Sequence, residues 1–366
     1  MKVVSVVGAR PQFIKAAVVS PALRKAGVEE LLVHTGQHYD YEMSQVFFEG
    51  LAIPRPDVDL GVGSGTHGTQ TGRMMEKVEE VLLREKPDLV IVHGDTNSTL
   101  AAALAAAKLH LPVAHVEAGL RSFDRAMPEE INRVLTDHIS ELLFAPTETA
   151  IENLRMEGIS RGVVLSGDVM VELLDSVLPD VEAATPSTLA AYDLEWKQFV
   201  LATVHRAENT EDRLRWNHIL DALQRVAANV GPVLWPIHPR TRARLASVSL
   251  TGVSLVKPLP YLSTQVLARA ARLVVTDSGG LQKEAAFHGT PCLILRDRTE
   301  WVELAREGKV LLTGVEPETV VAGAATALSR AGSFREDRPR VVPPPAQIIV
   351  DEVTGYLSRA VTSKEG

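Results

Sequence analysis

The chain has 366 residues and a formal net charge of −8. That length predicts two domains, because single cores stop growing at about 250–300 residues. The acidic balance, with no basic stripe to track a phosphate backbone, excludes a nucleic-acid partner, and the local cluster Arg240-Thr241-Arg242-Ala243-Arg244 reads as a solvated helix face.

In chain order, Met1-Lys2 runs into the strand Val3–Val7, which closes on Gly8-Ala9-Arg10-Pro11. This leaves no room for a signal peptide, and no apolar run is long enough to span a membrane, so a soluble, cytoplasmic protein is expected. Arg10 falls where the free N–H groups of a helix start favour an anion, with Lys15 about one turn on. A helix over Lys15–Lys25, a strand over Glu30–Thr35 and a helix over Tyr41–Glu49 follow, before Pro54 and Pro56 break the pattern. The glycine-rich tract Gly61–Gly68 lacks the Lys-Ser/Thr of a phosphate loop and reads as a mobile lid or linker. An amphipathic helix is predicted over Thr71–Lys86.

Two apolar runs then end on carboxylates: Leu89–Val92 leads through His93-Gly94 to Asp95, and Val113–Val116 leads to Glu117. Residues at the carboxyl ends of parallel strands face the ligand crevice, so these acids stand where a substrate binds. Glu129 and Glu130 follow in Met127–Arg133. Acids gathered in one crevice titrate apart, which suits acid–base chemistry without a metal. The structural alternatives are a helix cap for Asp95 and an ion pair with Arg121 for Glu117. Thr96, Asn97 and Ser98 are candidate caps for an Ala-rich helix over Thr99–Leu109.

A second βα series begins after Gly167-Asp168, with a connecting helix over Val169–Leu178 and a polar link over Pro179–Ser187. Strands are predicted at 199–203, 233–237, 253–256, 273–276 and 291–295. The lone cysteine, Cys292, reads as a buried strand residue and can form no internal disulfide. His205 ends the first of these strands and could donate to a phosphate or shuttle a proton. Thr276-Asp277-Ser278-Gly279-Gly280 joins a strand to a helix; Ser278, Gly279 and Gly280 would admit a diphosphate to exposed amides, and Glu284 could accept from a ribose. The competing account makes Ser278 a helix cap. The remaining histidines lack zinc spacing, and His93 and His115 read as hydrogen-bonded core residues. Arg335–Pro345 reads as a loop and Ala346–Arg359 as a final helix. Strand–helix alternation in two similar halves predicts doubly wound parallel sheets.

The ordered set Gly8-Ala9-Arg10-Pro11, Thr35-Gly36-Gln37-His38, Val92–Thr96, His115–Arg121, Pro128–Arg133, His205–Asn209 and Thr276–Gly280 resembles the non-hydrolysing UDP-N-acetylglucosamine 2-epimerases. The resemblance implies two Rossmann-like lobes of the GT-B type with the active site in the interdomain cleft. The first lobe would span 1–168, joined by a C-terminal helix from about 351, and the second 169–350. It implies a homodimer and neither nicotinamide nor metal cofactor. The implied reaction inverts C2 of UDP-N-acetylglucosamine to give UDP-N-acetylmannosamine, by elimination of UDP to a 2-acetamidoglucal and re-addition. By motif, Asp95, Glu117, Glu129 and His205 become the catalytic candidates, while Arg10, Lys15, His205, Ser278, Gly279, Gly280 and Glu284 would grip UDP. Two positions depart from the family pattern: Trp301-Val302-Glu303 stands where many members have Arg-Pro-Glu, and Leu259 where some have glutamine. These leave a UDP-2,3-diacetamido-2,3-dideoxyglucuronic acid epimerase as the nearest alternative, ahead of a GT-B glycosyltransferase, a hydrolysing epimerase or a non-catalytic sugar-nucleotide sensor. Gln37-His38 matches a segment through which substrate activates some bacterial members.

Overall fold

The computed structural model describes residues 1–37, 55–237, 239–245, 248–330 and 342–362. The predicted helix Tyr41–Glu49, His38, His238 and most of the predicted Arg335–Pro345 loop lie outside the described residues. The chain divides into two compact units, Met1–Leu173 with Arg340–Gly366, and Leu174–Pro339.

The first unit is built on a parallel sheet of seven strands: β1 (Lys2–Val7), β2 (Glu29–His34), β3 (Val58–Asp59), β4 (Leu89–His93), β5 (Val113–Val116), β6 (Leu142–Ala145) and β7 (Val163–Leu165). Their order is β3-β2-β1-β4-β5-β6-β7. The sheet is wound outward from β1 and β4, which are paired in register with Val6 opposite Val92. This is the point of topological reversal, where the crevice for a ligand opens beyond the strand ends. Every residue of β4 is buried, as expected of a strand covered on both faces. One face packs Val4, Val6, Val90 and Val92 against the Ala-rich helix Asn97–Lys108 and against Val78 and Leu82 of the helix His67–Glu85. The other packs Val3, Leu89 and Ile91 against Ile349, Val350 and Val353 of the last helix, Pro345–Thr362. Glu172 fixes that helix by accepting a 2.7 Å hydrogen bond from the Ala346 amide.

The second unit has six parallel strands, β8 (Val200–Thr203), β9 (Val233–Pro236), β10 (Val253–Val256), β11 (Leu273–Thr276), β12 (Cys292–Ile294) and β13 (Val310–Leu312), ordered β10-β9-β8-β11-β12-β13. Its reversal point lies between β8 and β11, where the Thr203 and Thr276 hydroxyls meet at 2.6 Å. Cys292 is buried in β12, and burial alone raises its thiol out of the titrating range.

Two expectations about connections are corrected. The predicted helix and polar link after Asp168 form one helix, Val169–Ala191, which runs through Pro179 and Pro186. Proline inside a helix forfeits a hydrogen bond at a cost of about 3 kcal/mol. Here buried Leu173, Leu174, Leu178 and Val181 keep an apolar stripe running past Pro179. The glycine-rich tract is tied down: the amides of Val62 and Gly63 donate to the carbonyls of Thr35 and Gly36 at 3.0 Å each, and Gln70 Nε2 donates to the Gly63 carbonyl at 2.9 Å. The next helix accordingly starts at His67, earlier than its hydrophobic periodicity suggests.

Candidate active site

Both acids predicted at the ends of β4 and β5 stand there, each matched to a cation. Between β4 and Asp95 the chain turns at Gly94, with φ 62°, and a Cβ at Gly94 would sit 2.8 Å from Lys15 Nζ, so the position requires glycine. Asp95 is not the helix cap. Thr96 holds that place, its hydroxyl accepting from the Thr99 amide, and the Asp95 carboxylate forms an ion pair with Arg133 on the helix Pro128–His138. Asn132 on the same helix donates to the Asp95 carbonyl at 3.0 Å.

Glu117 lies in the left-handed region, with φ 74°, a conformation uncommon for a residue with a side chain. The amides of Glu117 and Ala118 both donate to the Phe144 carbonyl, at 3.1 and 3.0 Å, and hold the turn. Its carboxylate pairs with Lys15, not with Arg121 as the ion-pair alternative supposed; the two side chains are 9% and 5% exposed. Arg121 is committed elsewhere, to Asp137 and Glu157 at 2.7 Å each. At such burial a lone carboxylate or ammonium would be costly, so removing either partner would strand the other.

The two glutamates that open the helix Pro128–His138 diverge. Glu130 is buried and structural, accepting from the Ser122 and Phe123 amides at 2.9 Å and pairing with Arg133 at 3.2 Å. Glu129 is half-buried in the first helical turn. Arg10 begins the helix Arg10–Lys25, whose start is capped by Gln12: its Oε1 accepts from the amides of Gly8 and Ala9 at 2.7 and 3.0 Å. The Gln12 Nε2 group donates to the His93 carbonyl at 2.8 Å, locking this turn to the end of β4. His93 corrects another expectation. It is fully buried, and neither ring nitrogen has a hydrogen-bond partner among the described residues. Burial first, then neighbouring Lys15 and His115, lowers it to about 3, so the ring is neutral.

In the second unit one buried anion organises the strand ends. Asp277 accepts from the amides of His205 and Arg206 at 3.1 and 3.0 Å and from Asn209 Nδ2 at 3.1 Å, and lies 3.1 Å from His205 Nδ1. Burial pushes its carboxyl up, but His205 and these donors outweigh burial and hold it at about 2. Nδ1 of His205 is thereby engaged, which directs Nε2 away from Asp277 on a side chain that is 57% exposed. Ser278 does cap the helix Gly279–Phe287, its hydroxyl accepting from the Leu281 amide at 3.3 Å. A Cβ at Gly279 would collide with the Glu300 carboxylate, which pairs with Arg296 at 2.9 Å. Glu284, on the same helix, is buried. A cation does stand beside the divergent Trp301: Lys283 Nζ lies 3.8 Å from the centre of its ring.

The structure thus joins Lys15 to Glu117 within the first unit and sets His205 beside the Ser278–Gly280 turn within the second. Arg133, Gln12 and Asp277 were not assigned roles from sequence. Arg133 could have been found, since it lies one helical turn beyond Glu129 and Glu130 in the Pro128–Arg133 motif. Asp277 was visible as an acid between an apolar strand and a cap. Gln12 carried no signal. Among the described residues no group of His, Cys, Asp and Glu is arranged to hold a metal ion, and no helix is long and apolar enough to cross a membrane.

Comparison with known proteins gives this arrangement a context. A profile of the UDP-N-acetylglucosamine 2-epimerase family matches residues 21–343. The chain belongs to that family. It is 51% identical to the UDP-2,3-diacetamido-2,3-dideoxy-D-glucuronate 2-epimerase of Pseudomonas aeruginosa, over 90% of this chain and 93% of the relative. A UDP-N-acetylglucosamine 2-epimerase homolog of Methanococcus maripaludis is 50% identical over 88% of this chain and 91% of its own. The crystal structure of Methanocaldococcus jannaschii UDP-GlcNAc 2-epimerase in complex with UDP-GlcNAc and UDP superposes with a TM-score of 0.90 at 40% identity, covering 97% of this chain and 99% of that one. The protein is therefore an isomerase of the UDP-sugar 2-epimerase family, with two parallel α/β sheets of the GT-B type.

Proposed function

We propose that the protein inverts C2 of UDP-N-acetylglucosamine reversibly, giving UDP-N-acetylmannosamine, in a homodimer working in the cytoplasm with UDP-sugar as its only small-molecule partner. The observation that carries the reading is the pair of strand-end carboxylates in the first unit, Asp95 and Glu117, each in an ion pair with a cation. The C2 proton of such a sugar is not acidic. A direct abstraction would face a high barrier, whereas loss of the C1–O bond to UDP with removal of the C2 proton leaves a neutral 2-acetamidoglucal. UDP then adds back as a proton returns to the other face of C2. Asp95, Glu117 and Glu129 are the acid–base candidates. His205, Arg10 and the turn Ser278-Gly279-Gly280 stabilise the departing diphosphate, and Glu284 takes the ribose. Lys15, on this reading, acts through Glu117 as well as on the anion. Exclusion of water while the glucal waits for UDP would keep that intermediate from side reactions.

A second substrate is favoured by two specific observations. The Pseudomonas aeruginosa relative named for UDP-2,3-diacetamido-2,3-dideoxy-D-glucuronate shares 51% identity, against 40% for the enzyme crystallised with UDP-GlcNAc. Trp301 with Lys283 also replaces the arginine expected from the family pattern. Proton NMR of each UDP-sugar incubated with the protein in D₂O separates the readings. Deuterium at C2 with an intact UDP linkage in the gluco/manno pair is the expected result; exchange only in the diacetamido-uronate assigns the second substrate. Release of free UDP and N-acetylmannosamine, or no exchange in either, refutes the proposal. Asp95→Asn should lower turnover by about 10²–10⁴ while UDP affinity, measured by calorimetry, stays within about threefold.

A further inference from the structure

Behind the paired acids lies a buried charged group that the reaction itself does not require. His115, in the middle of β5, is fully buried. Its Nδ1 lies 2.6 Å from Asp137 Oδ1 and its Nε2 lies 2.7 Å from the Gly94 carbonyl oxygen. A carbonyl oxygen and a carboxylate are acceptors only. Both contacts are hydrogen bonds only if both ring nitrogens carry protons. A neutral ring would press a lone pair against an oxygen at one of them.

Asp137 continues the chain of contacts. Its other oxygen accepts from the Gly119 amide at 3.1 Å and from Arg121 Nη1 at 2.7 Å. Arg121 in turn grips Glu157 through Nε and Nη2, both at 2.7 Å. His115, Arg121, Asp137 and Glu157 thus form one connected network, with His138 Nε2 3.3 Å from Glu157 at its outer end. Burial alone would raise the Asp137 carboxyl; His115 and Arg121 outweigh it and hold the group ionised. The two ends of this network are the backbone of the two acid-bearing turns. Gly94 adjoins Asp95, and Gly119 closes the strained turn that begins at Glu117.

We propose that His115 is a positioning residue: an imidazole that donates from both ring nitrogens and, through Asp137, clamps the Gly94 and Gly119 turns in one register and so sets the spacing of Asp95 and Glu117. Preorganisation of this kind matters because a displacement of about 1 Å in a reacting group can cost about a hundredfold in rate. The kinetic consequence rests on the epimerase reading; the protonation state does not.

Two variants split the clamp. The amide of His115→Asn reaches the Nδ1 position and keeps only the Asp137 contact, whereas that of His115→Gln reaches the Nε2 position and keeps only the Gly94 contact. Each should lower kcat about a hundredfold, with KM and UDP affinity within about threefold. A variant that is folded at the assay temperature and has kcat within about threefold of the parent overturns the clamp. Because either substitution could prevent folding, ¹⁵N-histidine NMR of the parent at pH 7 supplies an independent reading. Both nitrogens of His115, assigned through contacts to Gly94, should be protonated; a neutral tautomer overturns the proposal. A parent that turns over neither UDP-sugar would sink the epimerase reading instead, and the nitrogen spectrum would still decide the protonation.

Discussion

The two sheets expose the same topological feature, the point where strand order reverses, yet they furnish it in different ways. At β4 and β5 the turns carry acids that each meet a cation, Asp95 meeting the Arg133 that also pairs with Glu130, and Glu117 meeting Lys15. At β8 and β11 a single buried acid, Asp277, gathers amides, a histidine and an asparagine, and the adjoining helix start is built from Ser278, Gly279 and Gly280. The first arrangement sets carboxylates at strand ends against cations, Glu117 nearly buried and Asp95 partly exposed, which suits proton removal. The second spends its anion on holding donors in place, which suits gripping an anion that comes and goes. On the proposed function, two units of like topology divide the chemistry between them, and the division lies in where the acids sit relative to their cations.

Cutting the Lys15–Glu117 pair should have the largest effect. Lys15→Met leaves a nearly buried carboxylate without its cation, at a cost of about 3–5 kcal/mol, and turnover should fall by about 10²–10⁴. Adding Glu117→Gln removes the stranded charge. Denaturant titration should then recover most of the lost stability, while turnover stays low. Recovery of both would show that the pair is structural and that the acid-bearing turns are no more chemical than the glycine-bearing ones.

Half of this comparison was legible in the chain. Apolar runs ending on Asp95 and Glu117 state both the strand and the place of the acid, because parallel strands buried on two faces need continuous Val, Ile and Leu. The Ser278-Gly279-Gly280 turn is equally local, a cap followed by residues without bulk. What escaped is what long-range packing decides. Lys15 and Glu117 meet only because β1 inserts beside β4, and nothing near either residue says so. His93 and His115 each stand two residues before a strand-end acid, but the register offsets them by one, His93 opposite Val116 and His115 opposite Val92; the first has no hydrogen-bond partner among the described residues and the second is doubly bonded. Local rules also erred where tertiary contacts outweighed them, as at Pro179 within a helix and in the glycine-rich tract tied to Thr35 and Gly36.

His93 and Asp277 sharpen the contrast through pH, because burial acts on them with opposite outcomes. His93 titrates near 3 in the folded protein, against about 6.5 in an unfolded chain. The unfolded state binds the proton more readily, so stability is full above about pH 6.5 and falls as pH drops toward 3, by an amount on the order of 5 kcal/mol. His93→Phe keeps the volume and should flatten that slope in urea titrations between those limits. An unchanged slope would mean that His93 is solvated when folded. Asp277 titrates at about 2, against about 3.9 unfolded. Its depressed pKa makes the charged form stabilising above about pH 4, with about 2 kcal/mol lost as pH falls through 2. Asp277→Asn should therefore lose about 2 kcal/mol at pH 7 and almost nothing at pH 2. It should also loosen UDP, since His205 Nδ1 loses its anionic acceptor; equal UDP affinity would detach Asp277 from the anion grip.

The smallest effect tests whether the second turn is more than a helix cap. Ser278 accepts from the Leu281 amide, and replacing a capping serine by alanine costs about 1 kcal/mol. If capping were its whole role, Ser278→Ala would shift the unfolding midpoint by that amount and leave the UDP dissociation constant alone. If the hydroxyl also donates to the diphosphate, UDP binding weakens by about another 1–2 kcal/mol, or about five- to thirtyfold. Ser278→Gly separates the two contributions. Glycine is tolerated as a cap at a cost of only a few tenths of a kcal/mol, yet it cannot supply the hydroxyl. A glycine variant of near-parent stability that binds UDP as weakly as the alanine variant assigns the loss to the missing donor. One that binds as tightly as the parent confines Ser278 to the helix, and leaves the anion to the bare amides of Gly279 and Gly280.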